Sequence, residues 1–525
     1  LMMGYAHQNA KTRSSAIGTT SKGKISGYSA GLYATYMNAA PAGTGPYADA
    51  WLQFQKFKNK VDPSNSAEES YDSKGFTRSI EAGYTFGLKD WVSEDGTQNA
   101  ARLRLEAQVI RMGVRADRHV DIESFTVDGT GAGLTLELTE GLTVTTRDTA
   151  VSAADAATIS GRLGGDLALT SSEGNAISAT ESTAGANTAQ AVNFTLNGGT
   201  ATIETQGDAI YASGFNSSVS LSGASDYVIT SATGSALRSE NGATISVRGT
   251  GSDTDGLVAH GSITLKSGGS AATVDVGPTA DLNLPNYRPN TRTDIWADTV
   301  TIENTGTGSA IENHRSGDLL TVSATDKTGT GITLRNNSAD NATIISGLPD
   351  EQKGLEDAHT AGIHIITYGA PLTIENQNAS GNAILLKNRG SLLIQMDHGV
   401  PAQITGNITV DQGSNICLIV GSDGFIHTDK LTLTAGSMSD IATFGTSTWS
   451  DRAGTGKPQA TADGVGSLLS MQAWENSTIN ADAVLSGGAA GGFHAEDNGI
   501  RNGDTTLTGE SGSGADRYPT QSYTY

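Results

Sequence analysis

The chain has 525 residues, with 33 Lys and Arg against 55 Asp and Glu, a formal net charge of −22 at pH 7. That charge argues against nucleic-acid binding, which needs clustered positive residues. Glycine stands at 66 residues, Pro at only 11, charged residues at 17% and hydrophobic ones at 36%, which suits neither an α/β enzyme, a helical bundle nor a disordered chain and points to all-β repeats. The single Cys417 rules out a disulfide framework and a multi-cysteine zinc site. No apolar run reaches the ~18 residues of a transmembrane helix. The opening LMMGYAHQNAKTRSS lacks a charged region followed by an apolar core, so no secretory signal is visible, and a start at Leu1 reads as a fragment of a longer frame.

Aromatic side chains are densest in residues 1 to about 120, among them Tyr5, Tyr28, Tyr33, Tyr36, Tyr47, Trp51, Phe54, Phe76, Tyr84 and Phe86. Segments of roughly ten residues alternate in character there, as transmembrane strands do. In 101–112, Leu103, Leu105, Ala107 and Val109 fall on one face and Arg104, Glu106 and Gln108 on the other. The same reading sets Ala48, Ala50, Leu52 and Phe54 against Tyr47, Asp49, Trp51, Gln53 and Gln55, and Ile80, Ala82, Tyr84 and Phe86 against Ser79, Glu81, Gly83 and Thr85. Two less regular strands are expected in 2–9 and 28–37, with 10–24 and 58–74 as long polar loops and 38–46 as a short connection. Periodicity alone is shared by an outer-membrane β-barrel and a soluble antiparallel sandwich.

The blocks LMMGYAHQNAKTRSSAIGTTSKGKISGYSAGLYATYMN, GPYADAWLQFQKFKNKV, ESYDSKGFTRSIEAGYTF and RLEAQVIRMGVRADRH together resemble the translocator β-domain of type V (classical) autotransporters of the adhesin and pertactin-like branch. The resemblance implies a partial antiparallel outer-membrane β-barrel over 1–120. In that family a twelve-stranded barrel carries the linker to a secreted passenger; here about five strands are visible.

From about 121 onward the texture becomes Gly, Ser, Thr, Asn and Ala with isolated aliphatics. Units such as GNAISATES, GDAIYASG, GSALRSENGATISVRG, GSAIENHRSGDLLTVS and GNAILLKNRGSLLIQM recur. Leu237 and Leu257 are 20 apart, and the pairs Ile311/Ile332 and Ile363/Ile384 are each 21 apart, which predicts one solenoid rung near 21 residues with these side chains in a common core. The LxxLxLxxN register of leucine-rich repeats is absent. Residues 121–525 therefore read as a right-handed parallel β-helix of the pectin-lyase-like type, a texture that resembles the passenger of the same family. A barrel segment ahead of a passenger reverses the family's usual order, so the chain reads as a truncated, rearranged or joined frame.

No catalytic, cofactor-binding or metal-ligating residue is assigned, and no cofactor is expected. ESGSGAD (510–516) lacks the Gly-Asp of a GDSGS nucleophile motif; Asp253 and Asp255 sit in a Gly-rich turn; His260, His314, His364 and His398 form no HxH or HxxxH spacing. GGDLAL (164–169) is only a partial match to a calcium nonapeptide. The resemblance makes Asp49, Glu81 and Glu106 candidates for a role in self-cleavage, against the plainer reading as polar pore lining. The function expected is that of a cell-surface adhesin or aggregation factor with part of its translocator, rather than an enzyme; the alternative is a polysaccharide-cleaving β-helix. The partners expected are outer-membrane lipid and the barrel-assembly machinery for the first part. For the second they are glycans or proteins of host or neighbouring cells and further copies of the chain, with no nucleic acid. The expected place is the outer membrane and surface of a Gram-negative bacterium.

Overall fold

The computed structural model describes residues 1–13, 20–37, 44–63, 69–93, 97–116, 124–181, 189–250, 260–277, 291–314, 318–326, 329–347, 361–396 and 400–508. Every regular element among them is a β-strand, and the chain divides into two compact units, Leu1–Val120 and Asp121–Tyr525.

The first unit is a five-stranded antiparallel meander: β1 (Met2–Arg13), β2 (Thr20–Met37), β3 (Gly45–Pro63), β4 (Glu69–Val92) and β5 (Gln98–Ala116), paired in that order. The strands run longer than the expected ten residues. Much of what reads as loop in 10–24 and 58–74 is paired strand, with Lys11 opposite Lys22 and Lys56 opposite Lys74. The polarity there marks the solvent around a continuing hairpin rather than a break in pairing, and Lys56 Nζ meets Asp72 Oδ2 at 3.1 Å across it.

The alternation of the sequence appears as two unlike faces. Leu52, Phe54, Phe76, Tyr84, Leu103 and Leu105 are exposed, as are Ile80 at 68% and Val109 at 74%. The opposite face is polar and better covered: Asn59, Ser73, Thr77 and Ser79 are buried. It is tied across strands by Gln53 Nε2 donating to Ser29 Oγ (2.8 Å), Asn59 Nδ2 to Ser73 Oγ (2.9 Å) and Gln108 Nε2 to Ser79 Oγ (3.1 Å). Apolar outside and polar inside is the reverse of a water-soluble sandwich.

The second unit repeats a three-strand coil. Gly133–Leu138, Leu142–Thr146 and Val151–Ala154 are followed by Thr158–Leu163, Leu167–Ser171 and Ile177–Thr180, each paired in parallel with its counterpart one coil earlier. Three parallel ladders result, and among the described residues the third contains 14 strands. Its inward column runs through Val151, Ile177, Ile210, Leu237, Val274, Ile311, Ile344, Ile384, Ile408 and Leu431, all fully buried. Burial of one such aliphatic side chain contributes about 1.5–3 kcal/mol, and stacking lets every coil share the core of its neighbours.

Of the six predicted anchors, Leu237, Ile311, Ile332, Ile363 and Ile384 are buried; Leu257 lies outside the described residues. The 21-residue spacing is nevertheless not the coil length. Ile311 belongs to the third ladder, Ile332 pairs with Val300 in the second and Ile363 with Leu320 in the first. The true repeat varies: 26 residues from Val151 to Ile177, 40 from Ile344 to Ile384, 23 from Ile408 to Leu431. Variable connections between the strands absorb the difference.

Turns carry the polar load. At the corner between second and third ladders stand Ser171, Thr205, Ser231, Ser267, Asn304, Asn336 and Asn376, all buried. Asn376 Nδ2 reaches the carbonyls of Ser338 (2.9 Å), Asn341 (3.2 Å) and Asn382 (2.9 Å), while its Oδ1 accepts from the Asn378 amide (3.0 Å). The Asn382 carbonyl also accepts from the Thr343 amide and the Asn341 carbonyl from Asn336 Nδ2, so these side chains supplement backbone pairing at the bend.

Candidate functional site

Two clusters bring ionisable side chains together. The first lies on the polar face of the meander. The Tyr47 hydroxyl is 2.7 Å from both Glu81 Oε1 and Glu106 Oε2, so its single proton serves two carboxylates. Arg104 supplies the balancing charge, its guanidinium carbon 3.7 Å from the Tyr47 ring centroid and its Nε 3.1 Å from Glu106 Oε2. Gly83, opposite Tyr47 in the register, leaves room for the ring, because a Cβ there would meet Tyr47 Cζ at 2.8 Å. Of the three acidic residues singled out from the sequence, Glu81 and Glu106 thus converge on one tyrosine, and Asp49 Oδ1 is buried without a hydrogen-bond partner.

The second cluster stands on the outward side of the third ladder. Parallel register stacks Tyr211, Arg238, Asp275 and Glu312 at successive coils, about 4.8 Å apart per coil. Period two then places Glu240 beside Arg238, and His314 follows Glu312. The imidazole Nε2 of His314 lies 2.9 Å from Asp275 Oδ1 and 3.0 Å from Glu312 Oε2. The Arg238 guanidinium reaches Asp208 Oδ2 at 3.6 Å and Glu240 Oε2 at 3.5 Å, and the Tyr211 hydroxyl donates to Glu240.

Burial sets the electrostatics of this triad. It alone would push His314 down, but the hydrogen bonds and charges of Asp275 and Glu312 outweigh it and bring the imidazole up to about 9. Burial raises Asp275, only partly offset by His314. The same burial acts on Glu312, yet the His314 contact and the Lys387 charge hold it below the ordinary carboxylate range. In the metal-free protein near neutrality, His314 is an imidazolium clamped between carboxylates from two coils. These three residues form a group of potential metal ligands whose donor atoms lie within 4.8 Å of one another.

Sequence spacing missed the triad because its partners are 39 residues apart for His314 and Asp275. Aligning GSALRSE (234–240), AATVDVG (271–277) and GSAIENH (308–314) on their aliphatic anchors puts positions 238, 275 and 312 in one column, which is the signal that would have found it. The other candidates stay apart. His260 makes an exposed pair with Asp298 at 3.3 Å, and Asp166 of GGDLAL accepts from the Thr200 amide as a turn residue. Asp253, Asp255, His398 and the 510–516 segment lie outside the described residues.

Residues 1–147 match the family described as autotransporter beta-domain, a match running past the unit boundary into the first coil. The chain is 39% identical over 133 residues to the uncharacterized protein YdeU of Escherichia coli strain K12, covering 25% of this chain and 28% of that protein. It is 35% identical over 133 residues to the uncharacterized protein YuaQ of the same strain, covering 25% of this chain and 10% of that protein. With the autotransporter adhesin AIDA-I of Escherichia coli it shares 30% identity over 131 residues, again 25% of this chain and 10% of that protein. The crystal structure of the AIDA-I transport unit aligns at 30% identity over 22% of this chain and 38% of that one, with a TM-score of 0.21. The chain thus spans between a tenth and just over a quarter of these curated relatives.

Proposed function

We propose, from the match of residues 1–147 to the autotransporter beta-domain family, that the chain is an autotransporter segment whose second unit is displayed as an adhesin. The first unit is part of an outer-membrane translocator barrel, its apolar face against lipid, and it reaches the membrane through the barrel-assembly machinery. The second is a right-handed parallel β-helix of the pectin-lyase-like type; right-handed crossovers are the rule for parallel strands. The role is binding rather than catalysis, through many weak contacts with glycans or proteins of host or neighbouring cells, or with further copies of the chain. The place is the surface of a Gram-negative bacterium.

The observation that carries the reading is the inverted meander, with Ile80, Leu105 and Val109 outward and Thr77, Ser79 and Glu81 on the covered face. A sheet built this way has its lowest free energy with an apolar solvent outside. The kinship to an autotransporter adhesin supports the surface role.

The test uses Gram-negative cells carrying the gene. An antibody raised against 124–508 should label intact cells, and the protein should fractionate with outer membranes; labelling only after permeabilisation would refute surface display. Deleting the gene should slow settling of aggregating cultures or reduce adherence to glycan-coated surfaces. Unchanged settling and adherence, with glycan cleavage by the purified chain, would replace the adhesin with the polysaccharide-cleaving enzyme.

A further inference from the structure

We infer that Asp275, Glu312 and His314 form a binding site for one divalent first-row transition metal ion, Zn²⁺ foremost, that fastens two successive coils of the second unit. The donors are built into the fold rather than gathered by chance on flexible loops. Asp275 and Glu312 are register partners in adjacent parallel strands, Val274–Val276 and Ile311–Asn313, whose preceding residues Val274 and Ile311 are fully buried anchors. The anchors fix the height and direction of both carboxylates. His314 directly follows the second strand, and its amide is held by the Val276 carbonyl at 2.9 Å, back on the first coil. Backbone pairing therefore holds all three donors before any ion arrives.

The distances fit coordination. Neighbouring ligands on an ion with bonds of about 2.0–2.2 Å stand roughly 3.0–3.5 Å apart. His314 Nε2 is already 2.9 Å from Asp275 Oδ1 and 3.0 Å from Glu312 Oε2, so two of the three edges of the donor triangle have about that length. The remaining carboxylate edge is at most 4.8 Å, and a small side-chain rotation toward a shared cation shortens it. In the metal-free chain the proton on Nε2 occupies the position between the two carboxylates; a metal ion takes the Nε2 lone pair and both oxygens in its place, and the proton leaves to solvent.

Donor chemistry selects the class of ion. An imidazole with two carboxylates suits zinc and its first-row neighbours, whereas magnesium and calcium favour all-oxygen sites. With neutral imidazole the three donors carry two negative charges, matching a divalent ion. Arg238, paired with Asp208 and Glu240, also acts on Asp275, and Lys387 acts on Glu312, so these cations offset part of that negative charge. His314 and Glu312 side chains are each 18% exposed, enough for an ion to enter from solvent. Three protein ligands leave the remaining position to water.

The experiment uses the untagged full chain in detergent, stripped with chelator and then desalted. Zn²⁺ is titrated by calorimetry and Co²⁺ by its visible absorption. One saturable equivalent is expected in each, with Zn²⁺ displacing Co²⁺. His314→Gln should weaken binding by more than about a hundredfold, the scale of losing a ligand rather than a supporting contact. His494→Gln, which removes the exposed His494–Glu496 pair, should bind like the wild type. Circular dichroism checks that the variants are folded, and Asp275→Asn carries the same expectation if His314→Gln does not fold. Absence of a saturable equivalent in the wild type would overturn the site. So would wild-type binding in either folded variant, or displacement of Zn²⁺ by an equal concentration of Mg²⁺ or Ca²⁺.

Discussion

Replacing Asn376 by Ala probes what holds the corners of the solenoid. The carboxamide is fully buried, and its two N–H donors are shared among the carbonyls of Ser338, Asn341 and Asn382 while its oxygen accepts from the Asn378 amide. Counting two donor protons and one acceptor at about 1 kcal/mol each, the substitution should cost about 3 kcal/mol. Thr373→Ala, on the same strand but half-buried, should cost about 0.5 kcal/mol. A stacked solenoid need not unfold in one step, so the suitable assay is native-state hydrogen exchange of the Asn378 amide and of the amides in Asn382–Leu386. Loss of about 3 kcal/mol corresponds to roughly a hundredfold faster exchange. Asn376→Asp should be at least as damaging, because it keeps the acceptor but turns a carboxylate toward three carbonyls. Less than fivefold acceleration in Asn376→Ala would refute the claim that this side chain closes the corner.

Three further outcomes follow from the same geometry. In a complete homologous barrel, Leu105→Arg near the bilayer midplane should cost roughly 2–4 kcal/mol in folding equilibria into lipid, and Glu106→Gln on the polar face should stay within about 1 kcal/mol; equal effects would contradict the assigned faces. Ile311→Ala should destabilise its coil by about 2–5 kcal/mol in urea unfolding monitored by circular dichroism, whereas a near-neutral result would mean the buried column is not the core. For the metal-free chain kept in chelator, His314 sits at about 9 against 6.5 unfolded, with Asp275, Glu312, Arg238 and Lys387 as the charges around it. Its contribution is therefore fully present below pH 6.5 and lost as pH rises through 9; His314→Gln should flatten that loss in thermal melts, and an unchanged profile would remove His314 as its source.

The sequence disclosed those features that depend on neighbours one or two positions away. Period two in 101–112 placed Leu105 and Glu106 on opposite faces because a pleated strand alternates whatever it pairs with. It did not disclose the extent of β2 or β3, since Lys22, Lys58 and Lys60 read as loop while they pair within hairpins. In the solenoid the aliphatic anchors were legible one by one, but not the coil length. A distance of 21 residues from Ile311 to Ile332 crosses from the third ladder to the second, and only the strand pairing distinguishes that step from a full turn. The triad was hidden for the same reason: Asp275 and Glu312 meet through register, and register is a property of the assembled ladder.

Under the proposed function the two units meet the same requirement, that backbone polar groups be paired and apolar side chains leave water, in opposite solvents. The meander pairs its backbone laterally and turns Leu52, Ile80 and Val109 outward, so its unpaired strand edges and apolar face both need covering, and in hydrocarbon each unpaired group costs several kcal/mol. Five strands fall short of the eight with which single-chain bacterial barrels begin, so closure requires strands beyond these five. The solenoid turns its aliphatics inward and pairs each strand with the coils before and after it, so no lateral closure is required and order can spread from any formed coil to its neighbours. Under the proposed function this difference is useful. A passenger that crosses a membrane unfolded can regain structure one coil at a time, and its one cysteine, Cys417, leaves no disulfide to be matched during that process.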